Sequence, residues 1–246
     1  MESASFPPPL CYRIEAVLAE HSNIVKVDTD DSDDRLCGAF VYYREVSYTA
    51  QVGPTCGLAA LIMTGKLFNV TEYSLDNVLQ KAKELKLTNF GEMFSASWLV
   101  KLTEELWNDA VVGEVEEFPS PERVVSGLGN EEVLLVPYDS DRNFSPCAKN
   151  GHTAHWAIVI GFFYINDKGD RIEFKKRLDE EIEAQKLYVF AFHGKSKHMS
   201  LWPYKDLLGS NQQLFEVGPK RTEGYVVPNG EMTDLRNKAV WLKPRP

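Results

Sequence analysis

The sequence has no excess of positive charge. Its 246 residues include 27 lysines and arginines against 36 aspartates and glutamates, a formal net charge of −9. Sequence-independent binding to nucleic acid depends on a basic surface that neutralises phosphates. We therefore expect no nucleic-acid partner.

Long apolar runs are also missing. The chain contains no stretch of about 18 consecutive apolar residues, the length that a membrane-spanning helix requires. Its first 20 residues show neither the basic start nor the apolar run of a secretory signal. We therefore expect neither secretion nor membrane insertion.

Cysteine is scarce, and the four cysteines, at positions 11, 37, 56 and 147, show no paired spacing. A chain long enough to bury a full core does not need disulfides for stability. We expect free thiols in a reducing compartment, the cytoplasm.

Motifs for metals and cofactors are absent. Cys147, His152 and His155 lie close in sequence, which makes zinc an alternative to consider. A fourth ligand is missing, however, and so are the C-x-x-C and H-E-x-x-H spacings and the glycine-rich phosphate loops. We expect no metal and no cofactor.

What the chain does contain is a change of pattern along its length. Apolar residues at helical spacing predict helices at 56–68, 74–87, 95–108 and 121–128. Short β-branched and aromatic runs predict strands at 133–138, 155–165, 187–193, 214–217 and 225–227, with a last helix at 201–208 and a charged excursion, part strand and part helix, at 167–186. This order predicts an α+β catalytic domain over residues 46–246, with a cleft between its two halves.

Residues 1–45 are expected to form an N-terminal arm and lead-in. Pro7, Pro8 and Pro9 favour a short polyproline II stretch, and a short helix is expected at 12–20. The acidic stretch 28–34 is expected to be a solvated loop.

The segment QVGPTCGLAA, residues 51–60, carries the first reactive group. Gly53 and Pro54 indicate a turn, Thr55 is a suitable N-cap, and a helix is predicted to begin at Cys56. A thiol in the first turn of a helix faces unpaired backbone N–H groups and the positive end of the macrodipole, which stabilise the thiolate. Gly57 leaves the backbone open to a substrate carbonyl.

The segment GHTAHWA, residues 151–157, offers a base. His155 lies where a loop enters an apolar strand, a position that exposes an imidazole to the cleft and holds it in place. Trp156 would shield the site from water. Gln51, five residues before the cysteine, is a candidate second oxyanion donor beside the Cys56 backbone N–H.

Neither reactive residue is informative alone. A cysteine at a helix start is more often a small buried hydrophobe, and a histidine before a strand is more often a structural hydrogen-bonder. The combination of Gln51, Cys56, Gly57 and His155 is what indicates a thiol nucleophile with a histidine base.

These segments, together with HGKSKHMSLW at 193–202 and DLLGSNQQL at 206–214, resemble the actin maturation protease family, a branch of the C39-like, papain-fold cysteine peptidases. The resemblance spans residues 46 to 217. It implies a papain-like fold, with a helical N-terminal half carrying the cysteine and an antiparallel sheet carrying the histidine. It also implies a cysteine aminopeptidase that removes the N-terminal, usually acetylated, residue of immature actin.

The resemblance further implies roles for individual residues. Cys56, His155 and Gln51 are the expected catalytic residues, and Lys195, Ser196 and Gly57 are expected to bind substrate. Actin N-termini are acidic beyond the processed residue, so that Lys195 and Lys197 either attract them or form a plain solvated turn.

Two features of the family leave questions open here. Related peptidases orient the histidine with an aspartate after the next strand, where this chain has His193 to Ser196. The third member is therefore His193, Ser196, Asn143, Asp139 or none. A proline-rich N-terminal region implies profilin as a partner, for which only Pro7 to Pro9 remain here.

Two other functions fit the same pattern. One is a peptidase of different specificity on this fold, which cleaves leader peptides or ubiquitin-like tags. The other is a papain-fold binding module that retains Cys56 and His155 for packing.

Overall fold

The computed structural model describes residues 8–29, 37–70, 72–219 and 223–245. The helices in these ranges are α1 (Pro8–Thr29), α2 (Cys56–Leu67), α3 (Leu75–Glu84), α4 (Ala96–Trp107), α5 (Pro121–Gly129) and α6 (Tyr204–Gln212). The strands are β1 (Gly38–Tyr43), β2 (Val111–Glu117), β3 (Val133–Ser140), β4 (Pro146–Cys147), β5 (Ala154–Asn166), β6 (Ile172–Phe174), β7 (Leu187–His193), β8 (Ser196–Pro203) and β9 (Lys238–Pro244).

Strand β5 is the centre of one large sheet. Along one edge it pairs first with β3 and then with β1, and along the other edge it pairs with β7. Outward from these, β9 and β2 follow β3, and β8 follows β7. The pairing is antiparallel except between β1 and β6, so that the sheet is mixed rather than purely antiparallel.

The α+β fold is confirmed, as are all four helices predicted before residue 130 and the strands at β3, β5 and β7. The fully apolar stretches of β3 and β5 are buried on both faces, which is why they read as continuous hydrophobic runs.

Two predicted strands are wrong. At 214–217, the N–H groups of Phe215 and Glu216 both donate to the carbonyl oxygen of Asn150, which ties this segment to a loop. At 225–227, the N–H of Val226 donates to the carboxylate of Glu92. Neither segment joins the sheet.

The helix predicted at 201–208 begins three residues later than expected. Leu201 and Trp202 belong to β8, where they lie opposite Phe190 and Val189 of β7. The excursion at 167–186 contains the short strand β6, and the expected helix is absent from these described residues.

The N-terminal segment differs most from its prediction. Pro8 and Pro9 form the first turn of α1 rather than a polyproline II stretch, since a helix start does not need their missing N–H groups. Asp28 lies in the same helix, so that the loop prediction is wrong there. Pro7 and residues 30–34 lie outside the described residues, and profilin binding stays a prediction.

The lead-in takes part in the core. Leu10, Ile14 and Leu18 of α1 are buried, and β1 lies inside the sheet. The domain boundary expected after residue 45 stays a prediction. In the described parts of the chain, no helix has both the length and the apolar character to cross a membrane.

Helix α2 is buried on all sides from Cys56 to Gly65. It packs against β5 and β7 of the sheet and is flanked by α3 and α4. This packing explains why α2 is apolar around its whole circumference. It also places the start of α2 beside the start of β5, where the two halves of the chain meet.

Candidate active site

One cavity of about 330 Å³ is lined by Gln51, Cys56 and His155. Cys56 begins α2 and His155 is the second residue of β5, so that residues about a hundred positions apart share one small space. Lys195, in the turn between β7 and β8, lines the same cavity. The fold therefore brings together four of the six site residues that were predicted.

The start of α2 is arranged differently from the prediction. Thr55 stands at the N-cap position, but its side chain makes no cap hydrogen bond. Instead, its hydroxyl accepts from the N–H of Val52 at 3.0 Å and donates to the Val52 carbonyl at 2.9 Å. Thr55 therefore orders the turn that precedes α2 instead of capping the helix.

His155 is 6% exposed and lies among aromatic rings. Its ring centroid is 5.8 Å from that of Tyr138 and 6.0 Å from that of His193, both edge-on, and 6.4 Å from that of Phe144. Burial raises the pKa of Tyr138 well above its usual value, so that the Tyr138 ring is neutral. These rings exclude water from one side of the imidazole and fix its orientation.

Gln51 is held in place by two hydrogen bonds, one from its backbone and one from its side chain. Its N–H donates to the carbonyl oxygen of Gly194 at 2.8 Å, and its side-chain Nε2 donates to the carbonyl oxygen of Gly53 at 2.7 Å. An amide nitrogen carries two hydrogens, so that one N–H remains after the bond to Gly53. That second hydrogen suits an oxyanion donor.

Gly194 was not singled out by the sequence. A Cβ there would lie 2.7 Å from the Cβ of Gln51, which is closer than real contacts allow. The turn between β7 and β8 can therefore approach Gln51 only because residue 194 is glycine.

Asp139 is fully buried, and its carboxylate is surrounded by hydrogen-bond donors. Its carboxylate accepts from the N–H groups of Lys149 (2.9 Å), Gly151 (2.7 Å) and Thr153 (2.8 Å), and from the side chains of Thr153 (3.0 Å) and Gln213 (2.8 Å). A carboxylate offers about four acceptor sites, so this set occupies it. Asp139 fixes the loop that leads into His155.

The SNQQL segment supports the same loop. The hydroxyl of Ser210 accepts from the Asp139 N–H at 2.8 Å and donates to the Asp139 carbonyl at 3.0 Å. Asn211 donates to carbonyl oxygens of β3 and β9 at 2.8 and 2.9 Å. Gln213 accepts from the N–H of Asn150. The SNQQL motif, whose role is not evident from the sequence, therefore holds in place the loop that leads into His155. We call these residues the SNQQL clamp.

Of the four candidates for a third catalytic member, His193 is the one whose ring packs against His155. Asn143 is exposed, and the hydroxyl of Ser196 accepts from the N–H of His198 at 3.1 Å. Neither residue lines the cavity among the described residues. The identity of the third member stays a prediction.

His193 is neutral in this environment. It is 1% exposed, and burial lowers its pKa to about 4. Its ring stacks on Trp202, with centroids 6.1 Å apart, and lies 5.1 Å from the Phe144 ring. A neutral imidazole orients a neighbour by packing and hydrogen bonding but does not supply the charge that an aspartate would.

Gly57 is not among the residues that line the cavity. A Cβ on it would lie 3.1 Å from the Met93 Cβ and 3.2 Å from the Trp156 Cδ1. Trp156 in turn donates its indole N–H to the Met93 carbonyl at 2.8 Å. The glycine lets Met93 and Trp156 pack on α2, and its expected contact with substrate stays a prediction.

A second group of cavity residues has no signal in the sequence. It consists of Glu92, Met93, Phe94, Tyr225 and Leu235. These residues come from two loops separated by about 130 positions, and no local pattern relates them. The apolar spacing around Tyr225 was instead interpreted as a strand.

The zinc alternative is not supported by the geometry. Within the described ranges, Cys147, His152 and His155 form no cluster of potential ligand atoms. His152 Nε2 lies 3.0 Å from a carboxylate oxygen of Glu216 instead.

The one potential ligand cluster within those same ranges is formed by His21, Cys37 and Asp167. Lys186 already pairs with Asp167 at 2.5 Å, and His21 does so at 2.7 Å.

The family described as "Actin maturation protease-like, C-terminal domain" matches residues 46–163. The actin maturation protease of Xenopus tropicalis is 32% identical over 227 residues, covering 83% of this chain and 74% of that protein. The chain belongs to the actin maturation protease family. The resemblance seen in the sequence is thereby confirmed.

Coverage of the relatives varies. The actin maturation protease of Drosophila melanogaster is 38% identical over 184 residues, which cover 74% of this chain but only 60% of that protein. Among solved structures, a C39-like peptidase from Bacillus anthracis aligns over 82% of this chain with 11% identity and a TM-score of 0.46. The segment matched by the family contains Gln51, Cys56 and His155, whereas Lys195 and the SNQQL clamp lie beyond it.

Proposed function

We propose that this chain is a cysteine aminopeptidase that removes the N-terminal residue of immature actin. The observation that carries the proposal is the single cavity shared by Cys56, His155 and Gln51, in a chain that belongs to a family named for actin maturation. A cytoplasmic location, where actin is made, is part of the proposal.

The reaction begins with proton transfer from the Cys56 thiol to His155. The thiolate attacks the carbonyl carbon of the terminal residue, and its oxygen becomes an oxyanion. The backbone N–H of Cys56 and the second amide hydrogen of Gln51 stabilise this charge.

Collapse of the tetrahedral intermediate breaks the peptide bond. His155 returns its proton to the leaving nitrogen, which becomes the new N-terminus of the shortened chain. The released terminal residue stays on Cys56 as a thioester. Water, deprotonated by His155, then hydrolyses the thioester and regenerates the thiol.

The cavity has room for a terminal residue. Its volume of about 330 Å³ lies at the lower end of the range for small-molecule sites, roughly 300–1,000 Å³.

The test is mass spectrometry of actin N-termini in cells that lack the endogenous enzyme. We expect the wild-type chain to restore removal of one residue, and Cys56→Ala to abolish it. Cys147→Ala is the matched control, because Cys147 is half-buried and lies outside the cavity. If wild type and Cys56→Ala leave the same actin N-termini, the actin assignment is rejected.

A second measurement distinguishes an enzyme from a binding module. An electrophilic acyl probe should label Cys56 in the folded protein at neutral pH, and His155→Ala should slow the labelling. Equal labelling of all four cysteines, or none of Cys56, would favour a binding module.

A further inference from the structure

Two chemically different groups of side chains line the cavity. Lys195 belongs with Gln51, since the neighbouring Gly194 carbonyl accepts the Gln51 N–H. The other group consists of the apolar side chains of Phe94, Tyr225 and Leu235. Cys56 and His155 line the same cavity. A substrate in the cavity can therefore contact both a cationic and an apolar surface.

Tyr225 belongs to an irregular segment, residues 224–227, which we call the strap. It has no helical or strand hydrogen bonds of its own. Its Gly224 carbonyl accepts from the Asn89 side chain at 2.6 Å, and its Val226 N–H donates to Glu92 at 3.0 Å. The Tyr225 ring packs between these two anchors.

Tyr225 is fixed by aromatic contacts. Its ring centroid lies 5.9 Å from that of Phe90 and 6.0 Å from that of Phe94. Gly224 has φ +82°, and a Cβ there would lie 3.1 Å from Phe90 Cε2, so that this close approach favours glycine. The strap is thus pinned on both sides of the one side chain that it places in the cavity.

Glu92 serves the strap rather than the substrate. It is 3% exposed, and its carboxylate accepts from the N–H groups of Asn89 (2.9 Å), Phe90 (2.8 Å) and Val226 (3.0 Å) and from Thr88. Burial raises the pKa of Glu92, but these hydrogen bonds outweigh it and lower the pKa overall. Glu92 is thus an ionised carboxylate whose acceptor sites are all occupied, and it holds the strap in place.

We propose that the strap is the end wall that limits cleavage to one residue, with the terminal residue against Tyr225 and the rest of the chain leaving past Lys195. The inference rests on the proposed aminopeptidase function and deepens it. An exopeptidase needs a barrier just beyond the residue that it removes, and Tyr225 is a rigidly held side chain in the cavity lining that can supply one. Lys195 then faces the part of the substrate that follows the cleaved bond.

The experiment compares three acetylated peptides that share the same scissile bond and downstream sequence. One has a single residue before the bond, and the others have one or two extra residues in front. We expect wild type to cleave only the first. Tyr225→Ala should raise cleavage of the extended peptides relative to the first by about tenfold or more, the scale of discrimination that pocket shape provides.

Asn89→Ala is the second variant. It loosens the strap without removing any side chain that lines the cavity, so that it tests the wall even if Tyr225→Ala folds poorly. Tyr12→Ala is the matched control, because Tyr12 is 71% exposed on α1. It should retain the length selectivity of wild type.

The outcomes separate the two proposals. If wild type shortens the first peptide but neither variant changes the length selectivity, or if wild type cleaves all three peptides equally, the strap is not the wall. If wild type cleaves none of the peptides, the aminopeptidase proposal fails, and the end-wall role fails with it.

Discussion

Gln51 and Gly194 come from opposite halves of the chain and are joined by a 2.8 Å hydrogen bond from the Gln51 N–H to the Gly194 carbonyl oxygen. The hydroxyl of Tyr48 donates to the same carbonyl at 2.8 Å. The turn between β7 and β8 therefore sets the position of the candidate oxyanion donor. This contact connects the sheet half of the chain to the loop that precedes Cys56.

Gly194→Ala should reduce kcat. The added Cβ would lie 2.7 Å from the Gln51 Cβ and 3.1 Å from its backbone nitrogen, so that Gln51 must move. A displacement on the order of 1 Å at a catalytic group costs about a hundredfold in rate, and we expect a loss of about ten- to a hundredfold here. Steady-state kinetics on an acetylated actin N-terminal peptide measure it.

The control for this change is Gly209→Ala. Gly209 lies in α6 with no atom within 4 Å of the added Cβ, and alanine favours the helix. Its kcat should match that of wild type. Equal rates for Gly194→Ala and Gly209→Ala would show that the position of Gln51 does not limit the reaction.

Asp139→Asn should lower kcat more than it changes KM. The amide would place N–H groups against backbone donors of the 149–153 loop, which carries the chain into His155. We expect a loss of about 1–3 kcal/mol of stability from unmade hydrogen bonds, together with slower turnover. Thermal unfolding and the separate values of kcat and KM measure the two effects.

A double variant tests whether Asp139 and Gln213 act as a hydrogen-bonded pair. Gln213→Glu alone would place two carboxylates 2.8 Å apart, whereas Asp139→Asn with Gln213→Glu restores one donor and one acceptor. The double variant should therefore recover part of the kcat lost by each single variant. Additive losses would mean that the pair does not act as a unit.

The sequence was sufficient to predict the parts of the site that depend on local patterns. Cys56 at a helix start and His155 at a strand entrance follow from hydrophobic periodicity and turn residues within about ten positions. Their meeting in one cavity followed from the order of the two halves. These are short-range signals that a single sequence contains.

The cavity residues Tyr225 and Glu92 could not be predicted, for a physical reason. They come together because the N–H of Val226, the residue after Tyr225, donates to the Glu92 carboxylate, and such a bond between loops produces no periodic pattern. Residues 225–227 resemble a strand only because they are aromatic and β-branched. The hydrogen bonds of the Asp139 carboxylate could not be predicted either, because their donors lie 10 to 74 positions away in the sequence.

Lys195 and Lys197 should behave differently when their charge is reversed. Lys195 lines the cavity, whereas Lys197 is exposed on β8 outside it. Lys195→Glu should raise KM for a peptide with acidic residues after the cleaved bond, with less effect at high salt because screening weakens the contact. Lys197→Glu is the matched control and should change KM little. Equal effects of both would indicate general surface charge instead.

His193 should make stability depend on pH. Burial lowers its pKa from 6.5 to about 4, so that between these values the unfolded state binds a proton that the folded state excludes. Its stabilising contribution is complete above pH 6.5 and is lost as the pH falls to 4, on the order of 3 kcal/mol. Chemical unfolding at pH 7 and pH 4 should show a smaller loss for His193→Phe, which keeps a ring against Trp202. His198→Phe changes an exposed residue and should lose as much stability between pH 7 and pH 4 as wild type does. Equal losses of stability in all three proteins would mean that His193 is not the group responsible.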